Sequence, residues 1–283
     1  MDSDNARNPV DIQASMTTAP AQPVIDPALL AREQEHFDKH YSDEAAQGVA
    51  ILSDYDRARY TNPPANTIFP REYYYHLLSP LKGKRVMEIA AGNGIDAALL
   101  THNGADLASY DLSPKSIALV QRRCEINGTA NQLRTQVTGN FDEAFAGETF
   151  DHIVGYAALH HLPDMDSLAQ RVYDRLTPGG CAVFAEPVLN SNTLGFIRRC
   201  IPFAIDEMTD DERPLSDADM RRFGQPFDRT QTRHFQLTSR VWRVWPNNWP
   251  LAVALHKIDH ALLKLPLMHR LATVNVTAYY RER

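Results

Sequence analysis

The chain has 283 residues, of which 43% are hydrophobic and 23% are charged, and its formal net charge is −6 at pH 7. This composition is ordinary for a globular protein and excludes fibrous and broadly disordered classes. The acidic balance argues against a general nucleic-acid surface, which needs a clustered excess of Lys and Arg. The length favours one α/β domain with appended helices.

The cysteines and the N-terminus indicate the compartment. Cys124, Cys181 and Cys200 form no C-x-x-C pair, so neither a disulfide framework nor a zinc site is expected. The N-terminus lacks the basic and apolar regions of a signal peptide, and no apolar run has the length of a membrane span. We therefore expect a reduced, cytoplasmic protein with no integral membrane association.

The first 79 residues precede the main alternation of strands and helices. Residues 1–26 are polar and rich in Pro, which predicts a disordered tail. Residues 27–79 are expected to form a helical cap, with helices at 28–37, at 41–59 and at 72–78. The last of these carries three successive tyrosines, which we expect to pack in the core with one ring exposed.

Strands and helices alternate over residues 80–186, which predicts a doubly wound parallel sheet. The strand at 86–89 runs into a small-residue loop at 90–94, and a helix follows at once. Glycine permits positive φ and close approach to the backbone, and the first N–H groups of a helix have no partner inside it. Open α/β sheets bind ligands at the carboxyl ends of their strands. This junction therefore predicts a nucleotide-like ligand.

Four more strands are expected in this region. Polar or small residues follow the carboxyl end of several of them, and a Thr-Pro-Gly-Gly turn at 177–180 is expected to precede the last. The strands are predicted at 106–110, 132–137, 150–156 and 181–186.

The alternation weakens after residue 186. Residues 187–231 are expected to form a lid and acceptor segment, with a helix at 193–201 and a mobile acidic stretch at 206–219. The last region, 232–283, is expected to place two antiparallel strands at one sheet edge. Its elements are a strand at 232–242, an amphipathic helix at 251–265 and a β-rich run at 271–280.

Several of these junctions together resemble the class I S-adenosylmethionine-dependent methyltransferases, in the order and with the spacing of that family. The resemblance implies a Rossmann-like sheet of seven strands, mostly parallel with an antiparallel C-terminal strand, and S-adenosylmethionine as cofactor. Small-molecule and lipid-precursor methyltransferases are the most similar members. The matching stretches are Glu88–Gly94, Tyr110–Ser113, Gly139–Phe141, Phe150–Val154, Ala158–Asp164 and Leu176–Gly180.

The cofactor's chemistry suggests roles for several residues of these stretches. Glu88 would add negative charge near the sulfonium and amino groups, and Asp111 would accept both ribose hydroxyls. Asn140 would bond the adenine edge, between Leu112 and Phe141 on the two faces of the ring. The full expected set is Glu88, Ala90, Gly92, Asn93, Gly94, Asp111, Leu112, Asn140 and Phe141.

Two positions depart from the family's pattern. Asn140 stands where the family more often has an aspartate, so that Asp142 is an alternative partner for adenine. Ala90 stands at the family's first glycine, and the two glycines of closer approach, Gly92 and Gly94, are kept.

The expected reaction is methyl transfer to oxygen, nitrogen or carbon of a small-molecule acceptor, with oxygen and nitrogen favoured. A hydroxyl acceptor needs a general base, for which His160 is the candidate, with Tyr156 and Glu186 as neighbours. His161 is interpreted as a core histidine. Apolar walls of the acceptor pocket are expected from Tyr41, Tyr60, Phe196, Phe203 and Met208.

Two other functions fit part of the sequence. Residues 92–97 match G-x-G-x-x-A and Asp111 follows, as in NAD(P)-dependent oxidoreductases, although no Tyr-x-x-x-Lys pair is present. A non-catalytic cofactor-binding protein on the same fold is the third possibility. His256 and His260 have metal-ligand spacing but no third ligand in a motif, so a packed or solvated face is favoured and no metal is expected.

Overall fold

A computed structural model describes residues 27–162, 165–191, 214–240 and 249–283. Within them one seven-stranded sheet forms. Its strands are β1 (Arg85–Ile89), β2 (Asp106–Asp111), β3 (Leu133–Val137), β4 (Phe150–Tyr156), β5 (Leu176–Pro187), β6 (Arg229–Phe235) and β7 (Val274–Tyr280).

The strand order is β3-β2-β1-β4-β5-β7-β6. The pairs among β1 to β5 are parallel, whereas β7 is antiparallel to both of its neighbours, β5 and β6. Because the order reverses between β1 and β4, the carboxyl ends of these two strands flank the crevice where open α/β sheets bind ligands. The predicted Rossmann-like architecture is confirmed.

Helices cover both faces of the sheet. In the described residues they are α1 (Pro27–Gln47), α2 (Asp54–Thr61), α3 (Pro70–Leu78), α4 (Ile95–His102), α5 (Pro114–Ile126), α6 (Met165–Arg175), α7 (Asp217–Phe223) and α8 (Trp249–Leu262). The start of α5 follows from its sequence, because the Ser113 hydroxyl accepts the N–H groups of Lys115 and Ser116 and Pro114 has no N–H to lose. None of the described helices has both the length and the apolar character of a membrane span.

The core has two layers because side chains alternate along each strand. Val86 and Val183 point to the layer of α3, α4 and α5, whereas Met87 and Phe184 point to the layer of α6 and α7. The expectation for the tyrosine triplet is wrong in one respect: Tyr73–Tyr75 are all buried. Their rings differ in direction, but α3 lies between the sheet and other helices and has little free surface there.

Some predicted boundaries also differ. The helix expected at 41–59 is two pieces, because α1 continues to Gln47 and the chain then turns at Gly48, with φ of +93°, before Ser53 caps α2. Residues 177–180 lie within β5 rather than before it: the register with β4 jumps between Leu176 and Cys181, so these residues form a bulge.

The end of the acidic stretch is helical, because Ser216 and Asp219 form a capping box at the start of α7. The tail at 1–26, the helix expected at 193–201 and most of the stretch at 206–219 lie outside the described residues.

Replacing Gly94 should destabilise the protein. A Cβ there would lie 2.6 Å from Cα of Val120, and φ is +77°. Gly147→Ala is a matched control, because its φ is +79° but no atom lies within 4 Å of its Cβ. We expect losses of about 2–5 kcal/mol for Gly94→Ala and about 1–2 kcal/mol for Gly147→Ala in urea unfolding. Equal losses would contradict the close packing of the loop on α5.

Candidate functional site

The loop after β1 has an unusual backbone. Ala90, Gly92 and Gly94 all have positive φ, at 52°, 56° and 77°. This conformation is costly for Ala90, which stands where the family resemblance expects a glycine. Arg123 of α5 holds the loop from below by donating from Nε to the carbonyl of Asn93 at 3.0 Å. Arg123 was missed by sequence reasoning, because nothing in its neighbourhood distinguishes it from a surface arginine.

Asp111, at the end of β2, joins the loop to the next turn. One carboxylate oxygen accepts the N–H of Gly92 at 2.9 Å, and the other accepts the N–H of Ser113 at 2.9 Å. The hydroxyl of Ser116 also donates to the Gly92 carbonyl at 2.6 Å. Burial raises the pKa of Asp111, and the two N–H groups oppose that rise. Each oxygen keeps a lone pair for another donor.

Helix α1 lies across this edge of the sheet. Asp38 bonds the Ser113 hydroxyl, and Glu44 forms an ion pair with Arg123 at 3.3 Å. The Tyr41 hydroxyl lies 3.3 Å from where a Cβ on Gly92 would be. Tyr41, expected on the acceptor wall, therefore lies over the cofactor loop.

Glu88 is a buried carboxyl whose one hydrogen bond among the described residues comes from the Ser109 hydroxyl, at 2.6 Å. Burial raises its pKa to about 8, with further contributions from the negative charges of Asp96 and Asp111. Without a ligand the Glu88 carboxyl therefore keeps its proton at neutral pH, and a cationic ligand group beside it would favour the ionised form.

Arg71 is a second residue near this loop that the sequence did not single out. It lies in the first turn of α3, 3.5 Å from the Asp96 carboxylate, and its guanidinium stacks 4.3 Å from the centroid of the Tyr156 ring. Tyr75 donates to Asp96 at 2.8 Å. Tyr156 thus packs with α3 and Tyr74, and its described contacts do not include His160, the neighbour expected for it.

His160 and Glu186 do form a pair. Nδ1 of His160 lies 2.8 Å from Oε2 of Glu186, and the two side chains are 6% and 0% exposed. The other oxygen of Glu186 accepts the N–H groups of Ala158 and Leu159 at 2.9 and 2.8 Å. These bonds fix the carboxylate and, through it, the orientation of the imidazole.

His161 lies at the site rather than in the core. Its ring is 4.0 Å from that of His160 and packs edge-on against Phe37 of α1. The reason is the short turn after β4, which directs both histidines to the carboxyl edge. A cavity of about 280 Å³ adjoins His160, and its lining comprises Leu159, His160, Leu162, Met165, Asp166, Leu215 and Arg222.

The expected adenine contacts are only partly available. Leu112 is half-buried beside Gly139 and Leu30 of α1. Phe141 is 4% exposed and packs in the core under Arg175, so its ring is not presented to a ligand. The sequence placed it at the surface because it follows a strand end, but the chain turns inward there.

The polar candidates for the adenine edge are already bonded. Asn140 donates to Glu143 at 3.2 Å and accepts the N–H of Asp142 at 3.0 Å. Asp142, the alternative partner, pairs with Arg171 at 2.7 Å. The Asn140 amide still has one N–H and one lone pair without a partner among these bonds, so it can contact adenine without losing either.

Other expected residues lie elsewhere. Tyr60 packs on Tyr75, and Phe196, Phe203 and Met208 are outside the described residues. His256 packs on Phe69, with ring centroids 4.8 Å apart, and His260 bonds Arg233. The packed interpretation of these two histidines agrees with these contacts.

Comparison with known proteins decides the family. The family model described as a methyltransferase domain matches residues 70–243, more than half of the chain. The chain belongs to this methyltransferase family.

Relatives of this methyltransferase are distant. An uncharacterised protein of Synechococcus sp. is 27% identical over 171 residues, which cover 56% of this chain and 40% of that protein. The ubiquinone biosynthesis O-methyltransferase of Paracidovorax citrulli is 32% identical over 123 residues, which cover 42% of this chain and 50% of the relative. The methyltransferase thus spans half or less of the length of these relatives.

Solved structures share the fold. The N-methyltransferase NodS of Bradyrhizobium japonicum, solved in complex with S-adenosyl-l-homocysteine, superposes with a TM-score of 0.52. The match covers 88% of this chain and all of NodS at 14% identity. At that identity the likeness concerns the fold alone.

The pKa of Glu88 makes the methyltransferase's stability depend on pH. A carboxyl with a folded pKa near 8 keeps its proton long after the unfolded chain has released it near 4.5. Stability is therefore lost as pH rises through this range. Glu88→Gln should remove that loss. The free energy of unfolding of the variant, taken relative to that of wild type, should therefore be about 2–4 kcal/mol higher at about pH 9 than at about pH 5.

Urea unfolding at the two pH values measures this difference. Glu125→Gln on the exposed side of α5 is the control, and it should shift stability equally at both. The same parallel shift for Glu88→Gln would contradict a raised pKa.

Proposed function

We propose that this methyltransferase transfers a methyl group from S-adenosylmethionine to a hydroxyl of a small molecule, with His160 as general base. The buried His160–Glu186 pair is the observation that carries the proposal. It lies at the same carboxyl edge of the sheet as Glu88 and Asp111.

The residues at the first two strand ends fit the cofactor. Glu88 is a buried carboxyl with no bonded cation, and the ammonium and sulfonium charges of the cofactor would favour its ionised form; Asp111 has lone pairs for the ribose hydroxyls. Arg71 beside Asp96 is a cation that suits the cofactor's carboxylate. When bound, S-adenosylmethionine supplies an electrophilic methyl group on a good leaving group. The loop at Gly92 and Gly94 would hold it in position, and positioning can contribute about 7–11 kcal/mol.

His160 is set up to take a proton. With Nδ1–H donated to Glu186, the neutral ring presents Nε2 as acceptor. Glu186 is itself fixed by two backbone N–H groups, so the tautomer and ring orientation are maintained while the acceptor hydroxyl loses its proton. The cavity beside His160, whose lining combines apolar side chains with Asp166 and Arg222, is a candidate place for the acceptor.

The name of one relative is consistent with oxygen as the methylated atom. The Paracidovorax citrulli relative is named an O-methyltransferase. An amine acceptor is already nucleophilic when neutral and needs no buried base of this kind. The His160–Glu186 pair therefore favours a hydroxyl over an amine.

Binding and turnover test the proposal separately. Calorimetry with S-adenosylhomocysteine and with NADH distinguishes the two cofactor classes, and binding of NADH alone would refute the assignment. Formation of S-adenosylhomocysteine is then followed with catechol and with benzylamine as probe acceptors. Methylation of catechol is expected. Methylation of benzylamine alone would refute a hydroxyl as the acceptor group. Binding of S-adenosylhomocysteine without any turnover would favour a non-catalytic protein.

Asp111→Asn should weaken S-adenosylhomocysteine binding by about 1–3 kcal/mol, because a charged acceptor of buried hydroxyls is lost. Asp106→Asn, at the exposed start of the same strand β2, is the matched control and should bind normally. Both affinities are measured by calorimetry, with thermal melts to verify folding. Unchanged affinity of a folded Asp111→Asn variant would contradict the ribose role.

His160→Gln should lower kcat with a phenolic acceptor by about 100-fold or more, the usual contribution of a general base. Its affinity for S-adenosylhomocysteine should stay within about twofold, because the imidazole is expected to face the acceptor. His102→Gln, exposed at the end of α4, serves as control. If kcat and its pH profile are unchanged in His160→Gln, His160 is not the base.

A further inference from the structure

Helix α8 and the turn after it bury two polar side chains and expose large apolar ones. The inward side of the helix carries Ala252, His256 and Asp259, all buried, whereas Ile258 is 48% exposed. Leu265 and Leu267, just after the helix, are 52% and 62% exposed. A surface helix of a globular protein normally directs its apolar residues inward. This arrangement needs a partner on the outer side.

The buried acid explains part of this arrangement. Asp259 accepts the N–H groups of Leu237, Thr238 and Ser239 at 2.9, 2.7 and 3.0 Å. These bonds occupy both carboxylate oxygens and anchor α8 to the segment that follows β6. No comparable bond within the described residues explains the outward position of Ile258 or Leu265.

The charge of this region is opposite to that of the whole chain. The chain has a net charge of −6, but residues 240–271 contain five basic residues and one acid, the buried Asp259. Lys257 and Lys264 are exposed beside Ile258 and Leu265. The basic residues of the region are Arg240, Arg243, Lys257, Lys264 and Arg270.

A basic cleft of about 160 Å³ adjoins the second half of α8, with Arg233, His260 and Lys264 in its lining. The Arg233 guanidinium is bonded to the carbonyls of Ala65 and Thr67 and to His260, and to no carboxylate among the described residues. Burial, together with the charges of Arg233 and Lys264, lowers the pKa of His260. The cleft thus combines the positive charges of Arg233 and Lys264 with the buried Asp259, whose carboxylate is already bonded to backbone N–H groups.

The tryptophans of the chain are concentrated in one short stretch of the sequence, next to α8. All three of the chain, Trp242, Trp245 and Trp249, lie within eight residues immediately before or at the start of α8. Trp249 is 48% exposed and stacks on Phe69 with ring centroids 5.6 Å apart. Tryptophan is enriched at the interface between water and lipid, where an apolar ring with one polar N–H is well accommodated.

We propose that this surface, the exposed side chains of Lys257, Ile258, Lys264, Leu265 and Leu267, docks on an anionic phospholipid membrane. The apolar side chains would enter the headgroup boundary, while the lysines and the basic cleft meet lipid phosphates. A second copy of the chain is the less suitable occupant, because a symmetric contact would bring the lysines of both copies together. The proposal does not rest on methyl transfer.

Vesicle binding by the full chain, without cofactor, tests the proposal. All three tryptophans precede or begin α8 in the sequence, so tryptophan emission, excited selectively over that of the tyrosines, reports this region. With vesicles of phosphatidylcholine and phosphatidylglycerol in equal parts, we expect a blue shift and co-sedimentation that weaken with salt. With phosphatidylcholine alone, binding should be weaker by about tenfold or more. No binding to the anionic vesicles, or equal binding to both kinds, would overturn the proposal.

Two double variants separate the contributions. Ile258→Ser with Leu265→Ser, and Lys257→Glu with Lys264→Glu, should each weaken binding by about tenfold or more. The controls are Ile51→Ser and Lys82→Glu, at exposed residues far from α8 in the sequence, and they should bind as wild type. Equal effects of test and control variants would overturn the proposal.

Sedimentation velocity without lipid provides the last check, and since all four changed residues are exposed, the variants should stay folded. A concentration-dependent dimer that the Ile258→Ser with Leu265→Ser variant loses, found together with no vesicle binding, would identify a second copy as the occupant instead.

Discussion

The Asp111 carboxylate is the contact on which the ligand edge of this sheet depends. It receives one backbone N–H from the loop after β1 and one from the turn after β2, so a single buried side chain sets the relation between two neighbouring strand ends. The turn it fixes begins α5, and α5 in turn supplies Arg123 and Val120 beneath the loop. The loop, the first helix after it and the next helix thus form one unit.

Around that unit the site concentrates carboxyl groups that are buried or nearly so. Glu88, Asp96 and Asp111 lie within electrostatic reach of one another, and burial makes their joint ionisation costly. Arg71 offsets part of this charge through Asp96. A cationic ligand would offset more of it, so the site suits a sulfonium and an ammonium group better than a dinucleotide phosphate. The electrostatics thereby favour one of two cofactors that the glycine pattern alone left open.

Most of the fold was predictable from the sequence, since apolar strand patterns, the Ser113–Pro114 cap and the Gly-rich loop are local signals. The positions of Glu88, Asp111, His160 and Glu186 at the carboxyl edge were also predictable, because each lies near or just after the end of a strand, whereas their roles stay predictions. Phe141 was not, because whether a ring after a strand end turns inward depends on Arg175 from α6. The contacts of Tyr156 and Arg71 likewise depend on how α3 packs against the sheet. Such contacts between distant segments leave no spacing in the sequence.

Helix α1 imposes a further condition on turnover. It contacts the cofactor edge through Asp38 on Ser113, Tyr41 over Gly92 and Phe37 against His161. A methyl donor is consumed in each reaction cycle, and its product must leave before the next donor enters. For the proposed reaction we therefore expect α1 to leave these contacts during each exchange. The rate of this opening would then limit the rate of repeated methyl transfer, however fast the chemical step is.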